Sequence, residues 1–375
     1  MCPRCFFISA LLATSACGAN TQTTPRAQGT ETPAPRTSFE SGQPADAREL
    51  ARFEQAAAYS KENRGLSTLI LRDGKIIFES YYNGHAVDKP QALASGTKSF
   101  CGLLAAAAVQ DGLISYDELV SDTIEEWKND PRKSKITVRQ LLSLTSGIQG
   151  GRLGRVPTYS EAVEAPAIEE PGVRFLYGPN SFQVFGELMR RKLMTFREDP
   201  VTYLRRRVLT PIQMEISQWR IGADGFNTLS SGVSITSREW AKFGELIRNH
   251  GYWNGQEIIA TETLAECFKG SKANPAYGLS FWLNLPYGEG PTPELAKYIR
   301  RKQGEVAISP HAPRDLIMAA GAGKERLYII PSLKLVIVHQ AQSITFKDDV
   351  FLSLVLGSAP QSDAASDVPR TLETP

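Results

Sequence analysis

The sequence predicts an α+β layered domain, an antiparallel sheet made from both ends of the chain with helices inserted between them. Three observations carry this. Leu66 to Leu71 and Ile76 to Tyr82 are β-rich runs separated by Arg72-Asp73-Gly74-Lys75, whose Asp-Gly is a strong hairpin signal. Near the other end, Arg326 to Ile330 and Lys334 to His339 flank Pro331-Ser332 in the same way. The interior is mostly helical and contains no internal repeat.

Taken in order, residues 1–17 read as a targeting segment rather than part of the fold. Arg4 supplies a weak positive region, Phe6 to Ala13 an apolar run too short to span a bilayer, and Thr14-Ser15-Ala16-Cys17 a small-residue cleavage site. A cysteine directly after small residues resembles a bacterial lipoprotein signal, which implies lipidation at Cys17 and a membrane contact through that anchor only. Thr14 stands where such signals usually have Leu. An ordinary signal peptide containing a cysteine is the alternative, and both readings export the chain to the periplasm or cell envelope. Residues 18–46 are rich in Thr, Pro, Ala, Ser and Gly, the composition of a flexible linker. The folded domain is expected over 47–357, with its helical region at about 90–230, and a disordered tail over 358–375.

Inside the domain, Cys101 to Val109 is an apolar helix on every side and must be buried. Thr137-Val138-Arg139-Gln140 opens another helix as a capping box, with Gly147 closing it. Thr236-Ser237-Arg238-Glu239 opens a third that Gly251 closes. It carries Trp240, Phe243, Leu246 and Ile247 at helical spacing, which reads as core.

With 375 residues and 42% hydrophobic content the chain can bury a large core. The 42 basic and 40 acidic residues leave a net charge of only +2, so no global field holds nucleic acid or an anionic membrane. Past Cys17 only Cys101 and Cys267 remain, too few for a disulfide framework; whether they pair is left open.

The chemistry centres on Ser95 and Lys98, which lead directly into the apolar helix. A hydroxyl at i and an amine at i+3 share one helix face. Burial disfavours the ammonium and turns Lys98 toward a neutral amine able to take a proton from Ser95. That is an activated nucleophile. The competing reading makes Ser95 an N-cap and lets Lys98 snorkel to solvent.

Four further segments join this one in order: Ile136 to Gly147, Phe175-Leu176-Tyr177, Ser230 to Ser237, and Gly323 to Pro331. Together they resemble the serine β-lactamase-related superfamily, which includes class C β-lactamases, D-alanyl-D-alanine carboxypeptidases and esterases of the same fold. The resemblance spans Arg48 to Leu356. It implies a β-lactamase/transpeptidase-like fold, a five-stranded antiparallel sheet flanked by helices beside an all-helical region, with the active site between them. It further implies a serine hydrolase in which Ser95 attacks a carbonyl, Lys98 accepts the proton and Tyr177 relays protons to the leaving group. The backbone N–H groups of Ser95 and Ala322 would form the oxyanion hole. Tyr177 as a plain core aromatic, and Ala319 to Gly323 as a plain bulge, are the bland alternatives.

Two positions depart from the family pattern. Pro179 stands where the second motif has asparagine, so Asn180 is the candidate substitute for substrate binding, with Gly321 and Gly323 along the strand edge. Ala319 stands where the third motif has Lys or His. That basic residue holds a substrate carboxylate, a contact contributing about 1.5–3 kcal/mol. Lys324 either restores this charge or points to solvent.

Rival machinery is missing from the sequence. There is no Gly-x-Ser-x-Gly elbow, no phosphate loop, and His85, His250, His311 and His339 make no zinc motif. No metal and no cofactor are called for. The expectation is an exported serine hydrolase forming an acyl-Ser95 intermediate on a small-molecule ester or amide; the alternative is a non-catalytic binding module that keeps the fold.

Overall fold

In the computed structural model, which describes residues 39–286, 306 and 308–357, Asp73 and Gly74 adopt φ of 49° and 75°. These paired left-handed conformations make the tight turn that matches strand twist. The main sheet contains β1 (Glu40–Ser41), β2 (Gly65–Arg72), β3 (Lys75–Tyr81), β4 (Trp282–Leu283), β5 (Ile317–Gly321), β6 (Glu325–Ile330) and β7 (Leu335–Ala341), in the spatial order β1-β3-β2-β7-β6-β5-β4. β7 pairs antiparallel with β2, with Ile337 opposite Ile70, and so joins the two ends of the domain.

The expected five-stranded sheet is therefore seven-stranded. Its five long strands are antiparallel, and a two-residue strand is added at each edge. β1 runs parallel to β3, and Gly42 N–H donates to the Ile76 carbonyl at 2.7 Å. These bonds involve backbone only, so the side chains of Glu40 and Ser41 carry no strand signal. Residues 39–46, read above as linker, belong to the domain. The signal segment at 1–17, Cys17, the linker up to residue 38 and the tail at 358–375 lie outside the described residues.

Helices cover both faces. On one, α1 (Ala47–Glu62) and α5 (Asp348–Leu356) pack together, and His339 Nε2 meets Ser60 Oγ of α1 at 2.8 Å. On the other, Gln340 Oε1 accepts from Ser237 Oγ at 2.8 Å at the start of α4 (Ser237–Arg248). A Cβ at Gly244 of α4 would lie 2.6 Å from Val336 Cγ1, so the glycine permits close helix–sheet contact. β7 is buried along its whole length because it is covered on both sides.

The apolar segment forms α2 (Ser99–Gln110), buried from Ser99 to Ala108, and Trp240, Phe243, Leu246 and Ile247 are core residues. Both capped helices start where expected, but their ends differ. The Thr137 capping box opens a helix that stops at Leu142, and Leu144 turns left-handed at φ 59°. Gly147 is needed for another reason: a Cβ there would sit 2.2 Å from the Glu169 carbonyl. α4 ends at Arg248, and His250, at φ 54°, takes the left-handed position, while Gly251 N–H bonds back to the Leu246 carbonyl at 2.9 Å. At the second hairpin the turn occupies Pro331 to Lys334, with Lys334 left-handed at φ 54°.

Candidate active site

Ser95 lies in the short helix Ala94–Lys98 that runs straight into α2. Ala94, directly before it, is held at φ 45°, an unfavourable conformation for a residue with a Cβ. Thr97 secures the segment: its hydroxyl donates to the Ala94 carbonyl at 2.8 Å and accepts from Val233 N–H at 3.1 Å. Lys98 is 4% exposed, which rules out the snorkelling alternative. Its Nζ stands 3.0 Å from Ser95 Oγ and 2.8 Å from the Ser230 carbonyl. Burial brings the amine's pKa down to about 7 from the usual 10.5.

Tyr177 completes the cluster. Burial raises the pKa of its phenol above the ordinary value, and interaction with the neighbouring Ser95 side chain opposes that rise. Lys98 Nζ lies 5.1 Å from the centre of its ring. The ring stacks on Trp282 at 6.0 Å and meets Tyr277 edge-on at 6.5 Å. These contacts fix the ring without using its hydroxyl.

The end of β5 closes against this cluster. A Cβ on Gly321 would come within 1.9 Å of the Leu93 carbonyl and 3.1 Å of Gly96 N. The following turn, Ala322–Lys324, also packs beside the Ser95 segment, with Ala322 exposed. β4 pairs with β5 only at Ile317 and Met318. The stretch from Ala319 to Gly321 is bonded to β6 on its other side, leaving among the described residues an edge beside Ser95 along which an extended group can lie.

Several of the expected positions make contacts within the protein itself. Asn180 opens α3 (Asn180–Leu193), and its amide donates to the Gln149 carbonyl at 2.8 Å under the Gly150-Gly151 loop, a contact that holds that loop. Gly321 and Gly323 answer to the protein's own backbone: Gly321 to Leu93, and Gly323, at φ 78°, to a tight turn in which its carbonyl accepts from Ser343 N–H at 2.9 Å. Lys324 does neither of the things expected of it, because its Nζ pairs with Asp348 at 3.3 Å. Cys101 and Cys267 are both free, buried thiols. Ala319 is wholly buried and offers no basic group.

Sequence reasoning missed the anchor of Lys98. The Ser230 carbonyl is positioned by Gln183, whose Oε1 accepts from Leu229 N–H at 2.8 Å and Ser230 N–H at 3.3 Å. The segment from Ser230 to Ser237 is part of the sequence pattern, but a backbone acceptor leaves no trace in residue identity.

Comparison with known proteins gives the family context. A family model described as Beta-lactamase matches residues 50–298. Protein flp of Staphylococcus aureus (strain MW2) is 25% identical over 171 residues, covering 40% of this chain and 34% of that protein. The chain thus spans about a third of the length of this curated relative. Among solved structures, a family VIII carboxylesterase superposes with a TM-score of 0.62 at 18% identity, covering 84% of this chain and 97% of that one. A β-lactamase/D-alanine carboxypeptidase from Pseudomonas syringae gives 0.60 at 18% identity, covering 84% and 100%. At these identities the structural likeness speaks for the fold.

Proposed function

Since the chain belongs to the β-lactamase family, whose members are serine hydrolases, we propose that it hydrolyses an uncharged ester or amide through an acyl-Ser95 intermediate. The observation that carries this reading is the meeting of two proton-handling groups, Lys98 and Tyr177, at one hydroxyl. A part-buried hydroxyl needs only one partner, and a non-catalytic groove has no physical use for an amine tuned to about 7 beside it.

In the proposed reaction neutral Lys98 accepts the Ser95 proton as Oγ bonds to the substrate carbonyl carbon. The developing oxyanion is met by the N–H groups of Ser95 and Ala322. Collapse expels the leaving group, which takes a proton relayed from Lys98 through Tyr177. Water then attacks the acyl carbon, giving up a proton to the same pair; the bond to Oγ breaks, Oγ takes that proton back, and the carboxylic acid leaves with Ser95 and Lys98 restored. The carboxylate-binding cation of penicillin-processing relatives has no counterpart at Ala319, which weighs against charged β-lactams or C-terminal peptides. The carboxylesterase among the structural neighbours supports the ester side of the reading.

The test is the intact mass of the soluble domain after incubation with a fluorophosphonate, with Ser95→Ala alongside and aryl-ester turnover in parallel. One adduct on wild type, absent from Ser95→Ala and matched by lost turnover, is expected. A folded protein with no adduct and no turnover points instead to a binding module, the reading that the missing base at Ala319 favours.

We further propose export with a lipid anchor at Cys17. Labelled palmitate should enter the wild-type chain in the cell envelope and be absent from Cys17→Ala; equal labelling of both sinks the anchor.

A further inference from the structure

Arg326 lies on β6 opposite Ala320, is 8% exposed, and spreads its guanidinium over two different elements. Its Nε donates to Asp348 Oδ1 at 2.6 Å, and its Nη2 lies 3.5 Å from Oδ2, which ties it to the start of α5. Its Nη1 turns the other way and donates to the carbonyls of Gly321 and Glu325, each at 2.9 Å. Asp348 is itself held by Tyr328 Oη at 2.8 Å and by Lys324. The cation is thus locked from behind and aimed at two carbonyls, one of which belongs to the peptide that carries the proposed oxyanion donor.

That peptide is the one joining Gly321 to Ala322. Its carbonyl oxygen meets Arg326; its nitrogen is the N–H that the proposed reaction uses for the oxyanion. Carbonyl and N–H of an amide are conjugated, so a charged donor on the oxygen withdraws electron density from the nitrogen and strengthens the N–H as a donor. It also holds the peptide plane in one orientation, which matters where a donor must point at a developing charge.

We propose that Arg326 is a positioning residue of the oxyanion site, acting through the Gly321–Ala322 peptide from the far side of the strand. This inference rests on the reading of Ser95 as nucleophile. It assigns a use to a buried cation whose ion pair would otherwise only tie the β5–β6 turn to α5. Burial opposes the charged form of Asp348, yet the charges of Arg326 and Lys324 outweigh it and hold the carboxyl well below its usual range. The pair therefore stays charged wherever the enzyme works. The charge of Arg326 also reaches the Tyr177 phenol and opposes part of the rise in its pKa that burial causes. A cation missing at Ala319 is replaced here by one that reaches the backbone rather than the substrate.

The experiment compares wild type, Arg326→Gln and Arg326→Lys for the maximal rate of Ser95 acylation by a fluorophosphonate, for ester kcat and KM, and for Tm. Rates are taken at about pH 8.5, where Lys98 is neutral in every variant. Arg326→Gln is expected to slow acylation and kcat about tenfold with KM within about twofold, a fraction of the loss seen when an oxyanion donor is removed outright. Arg326→Lys keeps the charge but cannot fork between Asp348 and Gly321, and should fall between the two. A wild-type rate in folded Arg326→Gln, whatever its Tm, overturns the proposal and leaves a structural tie. Should Arg326→Gln not fold, Arg326→Lys decides alone: a wild-type rate overturns, a slowed kcat at constant KM supports. Absence of a Ser95 adduct on wild type is a separate result that removes the hydrolase reading itself.

Discussion

Gly321 approaches the Leu93 carbonyl so closely that a Cβ in its place would lie 1.9 Å from that oxygen. This contact presses the end of β5 against the helix turn that holds Ser95, and it sets the distance between nucleophile and the proposed oxyanion donor at Ala322. Gly321→Ala should cost about 1–3 kcal/mol in stability, because backbone has to move on one side or the other. Acylation of the folded fraction should slow by more than tenfold, roughly the penalty of an oxyanion donor displaced from its target. Thermal melts with fluorophosphonate labelling of the same samples check both, and an unchanged rate per folded molecule would show that the two donors are not linked through this contact.

The position of Lys98 makes a prediction about pH. A base works only when neutral, and burial has lowered the pKa of this amine to about 7. kcat/KM should therefore rise as pH increases through about 7 and level off above it. Lys98→Met should lose at least about a hundredfold in rate. A profile that stays flat between about pH 5.5 and 8.5 would mean that another group takes the Ser95 proton.

Asn180 has a structural contact at the second motif. Its amide bonds to Gln149 beneath the Gly150-Gly151 loop. Asn180→Ala should lower stability by about 1 kcal/mol, as for loss of a partly buried hydrogen bond. The acylation rate should stay within about threefold of wild type, far short of the effect of removing a proton-transfer group. A large rise in KM with stability unchanged would return Asn180 to the substrate.

Glu325 lies opposite Gly321 and is wholly buried. Its Oε1 accepts from Gln91 Nε2 at 3.0 Å and Ala341 N–H at 3.1 Å, while Oε2 meets no partner among the described residues. Burial raises its pKa well above the ordinary 4.5, so folding favours its protonated form. A folded pKa above the unfolded one contributes stability that is complete below 4.5 and is lost as pH climbs toward the folded pKa, since only the unfolded chain ionises freely. Glu325→Gln keeps the neutral shape and abolishes this slope. The variant should match wild type near about pH 4 and exceed it increasingly toward about pH 8, read from urea midpoints across that range. A gap that does not change with pH would show that Glu325 is charged in the fold.

How much was readable from the chain varied with the kind of atom involved. Ser95 and Lys98 were found together because their spacing and the apolar run from Cys101 are local patterns, and burial of α2 follows from composition alone. The hairpin at Asp73-Gly74 was equally local. Glu40–Ser41 was misread as linker because an edge strand can be held by backbone bonds that ask nothing of its side chains. Helix ends at Leu142 and Arg248 were placed too late, since Leu144 and His250 take left-handed conformations that glycine more commonly supplies. The bond from Asn180 to Gln149 was not readable, because it depends on how the Gly150-Gly151 loop folds over the start of α3.

The sequence by itself determined which groups are chemically competent: a hydroxyl and an amine on one helix face, an apolar helix that must be buried, a tyrosine in a familiar motif, and strands at both chain ends. Those follow from periodicity, spacing and polarity, which neighbouring residues express. Only the tertiary structure decided that Ser230 offers its carbonyl to Lys98, that Gly321 meets Leu93, and that Arg326 reaches the Gly321 carbonyl. Each of these is a contact with a backbone atom, two of them between segments far apart in the chain, and backbone atoms are the same in every residue, so no pattern of side chains can announce them.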